Sequence, residues 1–390
     1  MKTLRENLAA ARLDRSEIAG SLGDLGTFLP LLIGMASQNG LDFATALFFA
    51  GAFNIVTGIA FRIPMAVQPM KAIAAVALTE HLTAGQIVAA GASVSAIILV
   101  LGLTGLIDVL NRVVPKPVVR GLQLALGLSL LMKGLQMCAS GRWGLSPGGI
   151  PIAIAGTLVT LMLLRSRRVP AALVLFAAGI ALAAIAEPAV AGAIRPGFRL
   201  PHWSPPSWND FVTSFPKAAL PQIPLTALNS VVAVCALSGD LFPGHEASPR
   251  RVSVSVGVMN LVSAWFGAMP MCHGAGGLAG QHRFGARTNG SILFLGGVKL
   301  VVAVVFGSTL LAFCAAFPAS LLGVMLAFSG LELALVTRDQ SDRAGSFAML
   351  VTAGSCLALN SVAAGFAIGV VLSALVRLRL FSLDPPAERS

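Results

Sequence analysis

Two short stretches of this apolar sequence combine prolines with polar residues that suit anion binding. The first, residues 63–77, reads IPMAVQPMKAIAAVA and contains Gln68 and Lys71. The second, residues 269–281, reads MPMCHGAGGLAGQ and contains His273 before a glycine tract. Lysine supplies a positive charge, while glutamine and histidine supply hydrogen-bond donors. Neither stretch has a nucleophile–base pair or metal-ligand spacing, so no enzyme activity, cofactor or metal is predicted.

Both stretches are predicted to break a membrane helix near its middle. Proline has no N–H to donate and disfavours helix in the residue before it, so each stretch begins extended. A short helix then follows at about 69–80 and at about 274–283, each about 18 Å long or less and spanning half of the hydrocarbon. Each helix N-terminus therefore lies near mid-membrane, where free N–H groups and a partial positive charge favour an anion.

The candidate substrate-binding residues are those that the breaks and the facing first and eighth spans would place together. They are Gln68, Met70, Lys71, His273, Gly274, Ala275, Gly276, Thr27, Thr226 and Asn229. For each side chain a structural role is the alternative: Lys71 snorkels or pairs with a carboxylate, Gln68 caps free backbone groups, and His273 packs. The hydroxyl and amide groups of the facing spans either contact the anion or join helices.

Asp24 is the one acidic residue well inside the first span, in the segment GDLGTFLP at 23–30. A carboxylate beside a bound dianion is repelled unless it is protonated or paired. Asp24 is therefore either a coupling acid that is loaded with the anion or a fixed partner of Lys71 or of a helix N-terminus. Lys299 and Glu332 are a candidate ion pair within the late spans.

The composition restricts the chain to one broad class. Of its 390 residues, 56% are hydrophobic and only 11% are charged, against about 25% charged in soluble domains. An all-α polytopic membrane protein, with the lipid bilayer as its surroundings, is therefore predicted. The net charge of +11 does not indicate nucleic acid, because the basic residues sit in short loops and form no stripe. The five cysteines are scattered and predict no disulfide framework.

Fourteen membrane elements are predicted, seven on each side of a proline-rich link at 188–218. They lie at about 16–37, 42–61, 63–80, 84–107, 118–139, 147–164, 170–187, 220–239, 250–267, 268–283, 288–309, 316–336, 343–356 and 358–376. With the N-terminus in the cytoplasm, most of the 27 Lys and Arg residues fall in inner loops and tails. Both termini are therefore predicted to be cytoplasmic and the link extracytoplasmic.

The two halves repeat a sequence pattern. NIVTGIAFRIPM at 54–65 and NLVSAWFGAMPM at 260–271 match at a constant offset of 206 residues. Seven elements is an odd number, so the second half crosses the membrane in the opposite sense. Inverted repeats with broken helices are typical of secondary transporters, whose site lies where the repeats meet.

GDLGTFLPLLIG (23–34), IPMAVQPMKAIAAVAL (63–78) and MPMCHGAGGLAGQHRFGARTNGS (269–291) together resemble the molybdate transporter family. That family is related to sulfate permeases and more distantly to uracil/xanthine permeases. The resemblance implies a first repeat at 1–187, with core elements 1–4 (about 16–107) and gate elements 5–7 (about 118–187). It implies a second repeat at 219–376, with core elements 8–11 (about 220–309) and gate elements 12–14 (about 316–376). It further implies alternating access, often in a homodimer, and a short cytoplasmic tail at 377–390 without a regulatory domain.

The expected function is secondary transport of a tetrahedral oxyanion across the inner membrane, with molybdate preferred and sulfate next. A nucleobase–proton symporter on the same fold is the first alternative, but the site stretches of spans 8 and 10 have no acidic residue. An anion channel is the second. Molybdate, sulfate and tungstate selectivity, and a proton or sodium co-substrate, stay open at this stage.

Overall fold

Helices form nearly all of the regular structure in the computed structural model, which describes residues 11–109, 114–141, 148–166, 169–186 and 197–378. Two short strands, β1 (Val67–Pro69) and β2 (Met271–His273), lie among fourteen helices of nine residues or more within these ranges. The helices are α1 (Arg15–Asn39), α2 (Phe43–Phe61), α3 (Lys71–Glu80), α4 (Ala84–Thr104), α5 (Lys116–Ala139), α6 (Ile150–Leu163), α7 (Ala171–Ala186), α8 (Trp208–Leu241), α9 (Pro249–Ser263), α10 (Ala275–Arg283), α11 (Gly290–Ala316), α12 (Ala319–Leu335), α13 (Arg343–Ala358) and α14 (Val362–Arg377).

The lengths of these helices fit a membrane protein. Helices α1, α2, α4, α5, α8, α11 and α12 are each long and apolar enough to cross a bilayer, and α6, α7 and α14 are shorter apolar helices. The half-helices α3 and α10 have only ten and nine residues. The chain is therefore a multi-pass membrane protein, and the predicted all-α class is confirmed.

Some predictions concern residues outside the described ranges. These are the tail at 379–390, the first part of the link at 188–196, and the loop residues Lys2, Arg5, Arg112, Arg142, Arg167, Arg168, Arg195, Arg379 and Arg389.

The eighth helix begins earlier than the sequence analysis expected. Residues 208–218 were assigned to the link, but α8 is helical from Trp208. Ser207 and Asp210 form a capping box there, in which each side chain bonds to the other residue's backbone N–H, and this S-x-x-D signal was overlooked. Helix α8 widens into π-helical turns at Phe215–Ala219 and Thr226–Val232, in a stretch whose prolines remove backbone donors.

The two repeats pack against each other through matching helices. Helix α2 packs on α11 and α9 packs on α4, which are the same pairing in the two halves, and α5 packs on its repeat partner α12. The α5–α12 contact is a glycine crossing. A Cβ added at Gly134 would lie 2.4 Å from the carbonyl oxygen of Gly323, and one at Gly127 would lie 2.6 Å from that of Gly330. Only glycine permits this approach of two backbones.

The repeated asparagines fix the two breaks. Asn54 Oδ1 accepts a 2.9 Å hydrogen bond from the backbone N–H of Val67, the first residue of β1. Asn260 Oδ1 accepts one of 2.7 Å from Met271, the first residue of β2. Each asparagine therefore satisfies a backbone donor that the broken helix leaves without a partner.

Candidate functional site

The two breaks lie side by side and form a two-stranded antiparallel ribbon. Val67 is opposite His273, Gln68 is opposite Cys272, and Pro69 is opposite Met271. Beyond the ribbon, the N–H of Met70 donates to the carbonyl oxygen of Pro270 at 3.0 Å. Because α3 starts two residues after β1 and α10 starts two residues after β2, this pairing brings both helix N-termini to one place.

Gln68 occupies the centre of this arrangement and is fully buried. Its Nε2 donates a short hydrogen bond to Asp24 Oδ1 and a 3.0 Å hydrogen bond to Thr27 Oγ1. Its Oε1 is buried without a hydrogen-bond partner. The residue therefore ties the first break to α1 and keeps one polar atom unsatisfied.

The glycine tract of the second break makes room for Gln68. A Cβ at Gly274 would lie 1.9 Å from Gln68 Oε1, and a Cβ at Gly277 would lie 2.8 Å from Gln68 Nε2. Gly276 differs, because the heavy atom nearest to a Cβ added there would be Lys71 Nζ, at 3.8 Å. Gly274 and Gly276 are among the candidate substrate-binding residues, and the structure shows that Gly274 and Gly277 make room for a side chain of the other repeat.

The N-terminus of α3 is capped by a residue of α8. Gln222 Oε1 accepts from the N–H groups of Ala72 at 2.9 Å and Ile73 at 3.3 Å, while its Nε2 donates to Thr226 Oγ1 at 2.9 Å. Helix α10 has Gly274 as its N-cap residue and no side-chain cap. Its first N–H groups, those of Ala275 and Gly276, are thus left for another acceptor.

A cavity of about 110 Å³ lies at these two helix ends. It is small beside the roughly 300–1,000 Å³ of sites for drug-sized ligands. The breaks, α8, α5 and α12 all contribute to its wall. Its polar side chains and first-turn residues are Gln68, Lys71, Gln123, Gln222, Asn229, Ser230, Cys272, Gly274, Ala275 and Gly276. This lining includes a lysine and has no carboxylate.

A larger cavity of about 560 Å³ adjoins the small one, and Lys71, Gly276, Leu333 and Val336 line both. We call the larger cavity the vestibule. Thr27 lies on its wall, and its lining extends to Ser166, Arg283, Arg338 and other residues in or near the loops on one side of the molecule. A path therefore connects that side with the helix ends.

Asp24 lies behind Gln68 and faces Lys299 of α11. Asp24 is fully buried and Lys299 is 4% exposed. The distance from Asp24 Oδ2 to Lys299 Nζ is 4.0 Å, and neither atom has a hydrogen-bond partner. Lys299 Nζ also lies 3.5 Å from the centroid of the Phe28 ring. The expected Lys299–Glu332 pair does not form, because Glu332 is exposed on the vestibule wall while Lys299 lies within 4.0 Å of Asp24.

The structure brings six of the predicted binding residues to the small cavity: Gln68, Lys71, Asn229, Gly274, Ala275 and Gly276. The other predicted binding residues lie outside its lining. Thr27 is on the vestibule, the backbone N–H of Met70 bonds the ribbon, and Thr226 accepts from Gln222. His273 is fully buried and its Nε2 lies 2.9 Å from Ser255 Oγ, with Phe61 edge-on to the ring.

Four polar residues of this lining are not among the candidate substrate-binding residues: Gln123, Gln222, Ser230 and Cys272. Gln123 is the one amide in the apolar run GLQLALG, and a buried amide in a membrane helix signals a polar partner. It accepts a 2.8 Å hydrogen bond from Arg120. Gln222 lies in PQIPLTALNS, beside residues that were selected. Cys272 lies in the break MPMCHGAGG, and nothing in its sequence context marks it as a cavity residue.

A helical membrane protein with two inverted repeats, whose two broken helices meet at a central cavity, has the core-and-gate fold of inverted-repeat transporters. Solved structures show the same fold. The transmembrane domain of a cyanobacterial bicarbonate transporter, BicA, has a TM-score of 0.61 at 17% identity, covering 92% of this chain and 97% of that one. The anion transporter SLC26A9 has a TM-score of 0.68 at 15% identity, covering 95% of this chain and 66% of that one.

The chain belongs to the molybdate transporter family. The family model described as "Molybdate transporter of MFS superfamily" matches residues 16–130 and 214–333. Molybdate transporter 2 of Arabidopsis thaliana is 43% identical over 419 residues, covering 96% of this chain and 90% of that protein. Molybdate transporter 1 of Chlamydomonas reinhardtii is 36% identical over 473 residues, covering 93% and 91%. The resemblance found in the sequence is thereby confirmed.

Proposed function

We propose that the chain is a secondary transporter that binds molybdate, or a closely similar tetrahedral oxyanion, in the 110 Å³ cavity. The observation that carries the proposal is the composition of that cavity: Lys71 and the uncapped end of α10 meet there, and no carboxylate lines it. The names of the Arabidopsis and Chlamydomonas relatives support molybdate as the preferred anion.

The proposed contacts follow from the donors in the cavity. Lys71 supplies a full positive charge, and the N–H groups of Ala275 and Gly276 supply donors at the positive end of a helix dipole. Amides of Gln123 and Asn229 add neutral polar groups from α5 and α8. Charge-assisted hydrogen bonds of this kind are about twice as strong as neutral ones, so a dianion is favoured over a neutral nucleobase.

The proposed transport cycle is alternating access of the core (α1–α4 and α8–α11) against the gate (α5–α7 and α12–α14). The cavity supports this division, because the breaks and α8 form one wall while α5 and α12 form the other. A displacement between the two groups would open the cavity to one side and then to the other.

We further propose that both termini are cytoplasmic, in the inner membrane, so that the vestibule opens to the cytoplasm. The basic loop residues Arg283 and Arg338 lie at its wall, which agrees with an excess of positive charge on the inner side. A cysteine introduced at Ser166 should react with an impermeant thiol reagent in inside-out vesicles and not in right-side-out vesicles. The opposite result would reverse the orientation. Assembly as a homodimer stays a prediction from the family resemblance.

Competition binding on the purified protein tests the substrate. We expect unlabelled molybdate and tungstate to displace bound molybdate, sulfate to do so more weakly, and uracil not to compete. Binding of uracil without binding of any oxyanion would overturn the proposal in favour of nucleobase transport.

A further inference from the structure

We propose that Asp24 is a proton-binding site that is coupled to the anion site by the side chain of Gln68. This inference rests on the proposed oxyanion function and adds the chemical identity of the co-substrate, a proton. Two observations carry it: the orientation of the Gln68 amide, which leaves its Oε1 without a partner, and the charges around Asp24 and the cavity.

The first observation is that Gln68 has its acceptor oxygen, and not its N–H donors, on the cavity side, where an anion would need a donor. An ionised carboxylate only accepts hydrogen bonds, so the amide has its Nε2 toward Asp24. Its Oε1 consequently lies on the side of Gly274, which is part of the cavity wall, and has no partner. While Asp24 is ionised, Gln68 therefore offers an acceptor oxygen toward a cavity that otherwise suits a dianion.

The second observation concerns the charges near Asp24. Lys299 faces it from α11. The other ionisable groups of this region are Lys71 on α3 and Cys272 on β2, which line the small cavity, and Glu332 on α12, which lines the vestibule with Lys71. Asp24 and Lys299 are buried and Lys71 is partly buried at the cavity wall, so two lysines and one ionised aspartate leave one net positive charge. A dianion would change this to one net negative charge. If Asp24 takes up a proton, the two lysines balance the dianion, and no uncompensated buried charge remains.

The coupling step follows from these two observations. One proton from water adds to Asp24 Oδ1, and the carboxyl O–H becomes a donor. The Gln68 amide turns over, so that Oε1 accepts from Asp24 and from the hydroxyl of Thr27. Nε2 then points to the cavity and donates to an oxygen of the anion. Release of the anion reverses the step and returns the proton to water.

The glycines of the second break fit this motion. Gly274 lies beside Oε1 and Gly277 beside Nε2, so no side chain from that helix stands against either end of the amide. Thr27 is within hydrogen-bond distance of Gln68 and also lies on the vestibule wall. This placement brings the acid close to a route from bulk water.

Calorimetric titration of the purified protein with sodium molybdate, in buffers of different ionisation heat, tests the inference by counting protons. We expect the wild-type protein to take up about one proton per anion at neutral pH and above. Its Kd should rise about tenfold per pH unit where Asp24 is ionised in the empty protein. Asp24→Asn keeps the shape of the protonated acid and a donor for Gln68, so it should bind molybdate with no proton uptake and a pH-independent Kd.

Two further variants test whether the proton binds at Asp24 or at a neighbouring group. Glu332→Gln removes the carboxylate of the vestibule and should keep the wild-type proton count. Lys299→Met removes the countercharge of Asp24, so the acid should be protonated before the anion arrives and proton uptake should fall toward zero. This variant also keeps the test valid if Asp24→Asn fails to fold.

The outcomes separate the two proposals. Molybdate binding without proton uptake in the wild-type protein would overturn the inference and leave the oxyanion function standing. Full uptake in Asp24→Asn, or loss of uptake in Glu332→Gln, would assign the proton to another group and also overturn it. Absence of binding by every oxyanion tested would overturn the proposed function itself, and the inference with it.

Discussion

The two broken helices occupy equivalent places in the two repeats, but they present different groups to the cavity between them. At the first break, the N–H groups of Ala72 and Ile73 are already bonded to Gln222. At the second break, the N-cap residue is a glycine and no side chain caps the helix. Two first-turn N–H groups of the first helix are therefore satisfied by protein, whereas no side chain accepts from Ala275 and Gly276 of the second helix in the described residues, although both helices begin at the same cavity.

The side chains show the complementary difference. The first break supplies Gln68 and Lys71, and the second supplies the glycines that leave room for them. A backbone with inverted repeats creates two helix ends, whereas a single small anion needs one set of contacts. One helix end therefore supplies backbone donors, and the other serves as a platform for side chains, with its own dipole satisfied inside the protein.

Lys71→Met should produce the largest loss of anion binding, because it removes the only side-chain cation that lines the small cavity among the described residues. A hydrogen bond to a charged group contributes about 1.5–3 kcal/mol, so affinity should fall roughly 10- to 100-fold. The measurement is the molybdate Kd of the purified variant.

Lys133→Met is the matched control, since Lys133 is a lysine of a membrane helix that lines neither cavity. It should bind as the wild-type protein does. Equal affinities for Lys71→Met and wild type would remove Lys71 from the site and leave the end of α10 as the anion contact.

Gly274→Ala should have the next largest effect. The change is made in the second break, and it displaces Gln68 of the first break. The backbone φ of −107° at Gly274 allows alanine without strain, so the change acts through the methyl group placed on Gln68 Oε1. Displacement of Gln68 should cost about one hydrogen bond, or roughly 2- to 10-fold in affinity. Gly297→Ala, where no heavy atom lies within 4 Å of the added carbon, is the control. Wild-type affinity in Gly274→Ala would mean that the position of Gln68 does not matter for binding.

Much of this arrangement could be predicted from local sequence. Prolines and glycines in apolar runs specify where a helix breaks, and the constant 206-residue offset placed the two breaks in equivalent positions. The importance of Lys71 followed from the cost of a charge within the membrane. Each of these predictions depends on the residues of a single segment and does not require knowledge of which other segments that segment contacts.

The remaining features depend on contacts between segments distant in sequence. Gln222 caps a helix about 150 residues away, and no local signal distinguishes it from the other polar residues of PQIPLTALNS. The side chain of His273 was left with two interpretations because its direction depends on the register of a strand. In β2 successive residues point to opposite faces, and Cys272 lies on the cavity face.

Gln222→Met tests whether the first helix end is satisfied by protein rather than by the anion. It should leave the N–H groups of Ala72 and Ile73 without an acceptor and lower the free energy of unfolding by about 1–3 kcal/mol. Denaturant or thermal unfolding in detergent measures this change. Gln222→Glu retains an acceptor at the positive end of the helix but puts a negative charge on the cavity wall, so it should lose anion affinity more than stability. An unchanged unfolding free energy in Gln222→Met would contradict the capping role.

His273→Ala should have the smallest effect on binding, because His273 lies on the face of the ribbon that does not contact the anion. The imidazole is buried against Ser255 and Phe61, so its removal should lower stability by about 1 kcal/mol or more while the molybdate Kd changes less than about twofold. Ser255→Ala removes the same hydrogen bond from the other partner and should shift stability in the same direction. A tenfold loss of affinity in His273→Ala, with Ser255→Ala unchanged, would show that the ring turns toward the anion in another state of the transport cycle. The second break would then contribute a side chain as well as backbone donors.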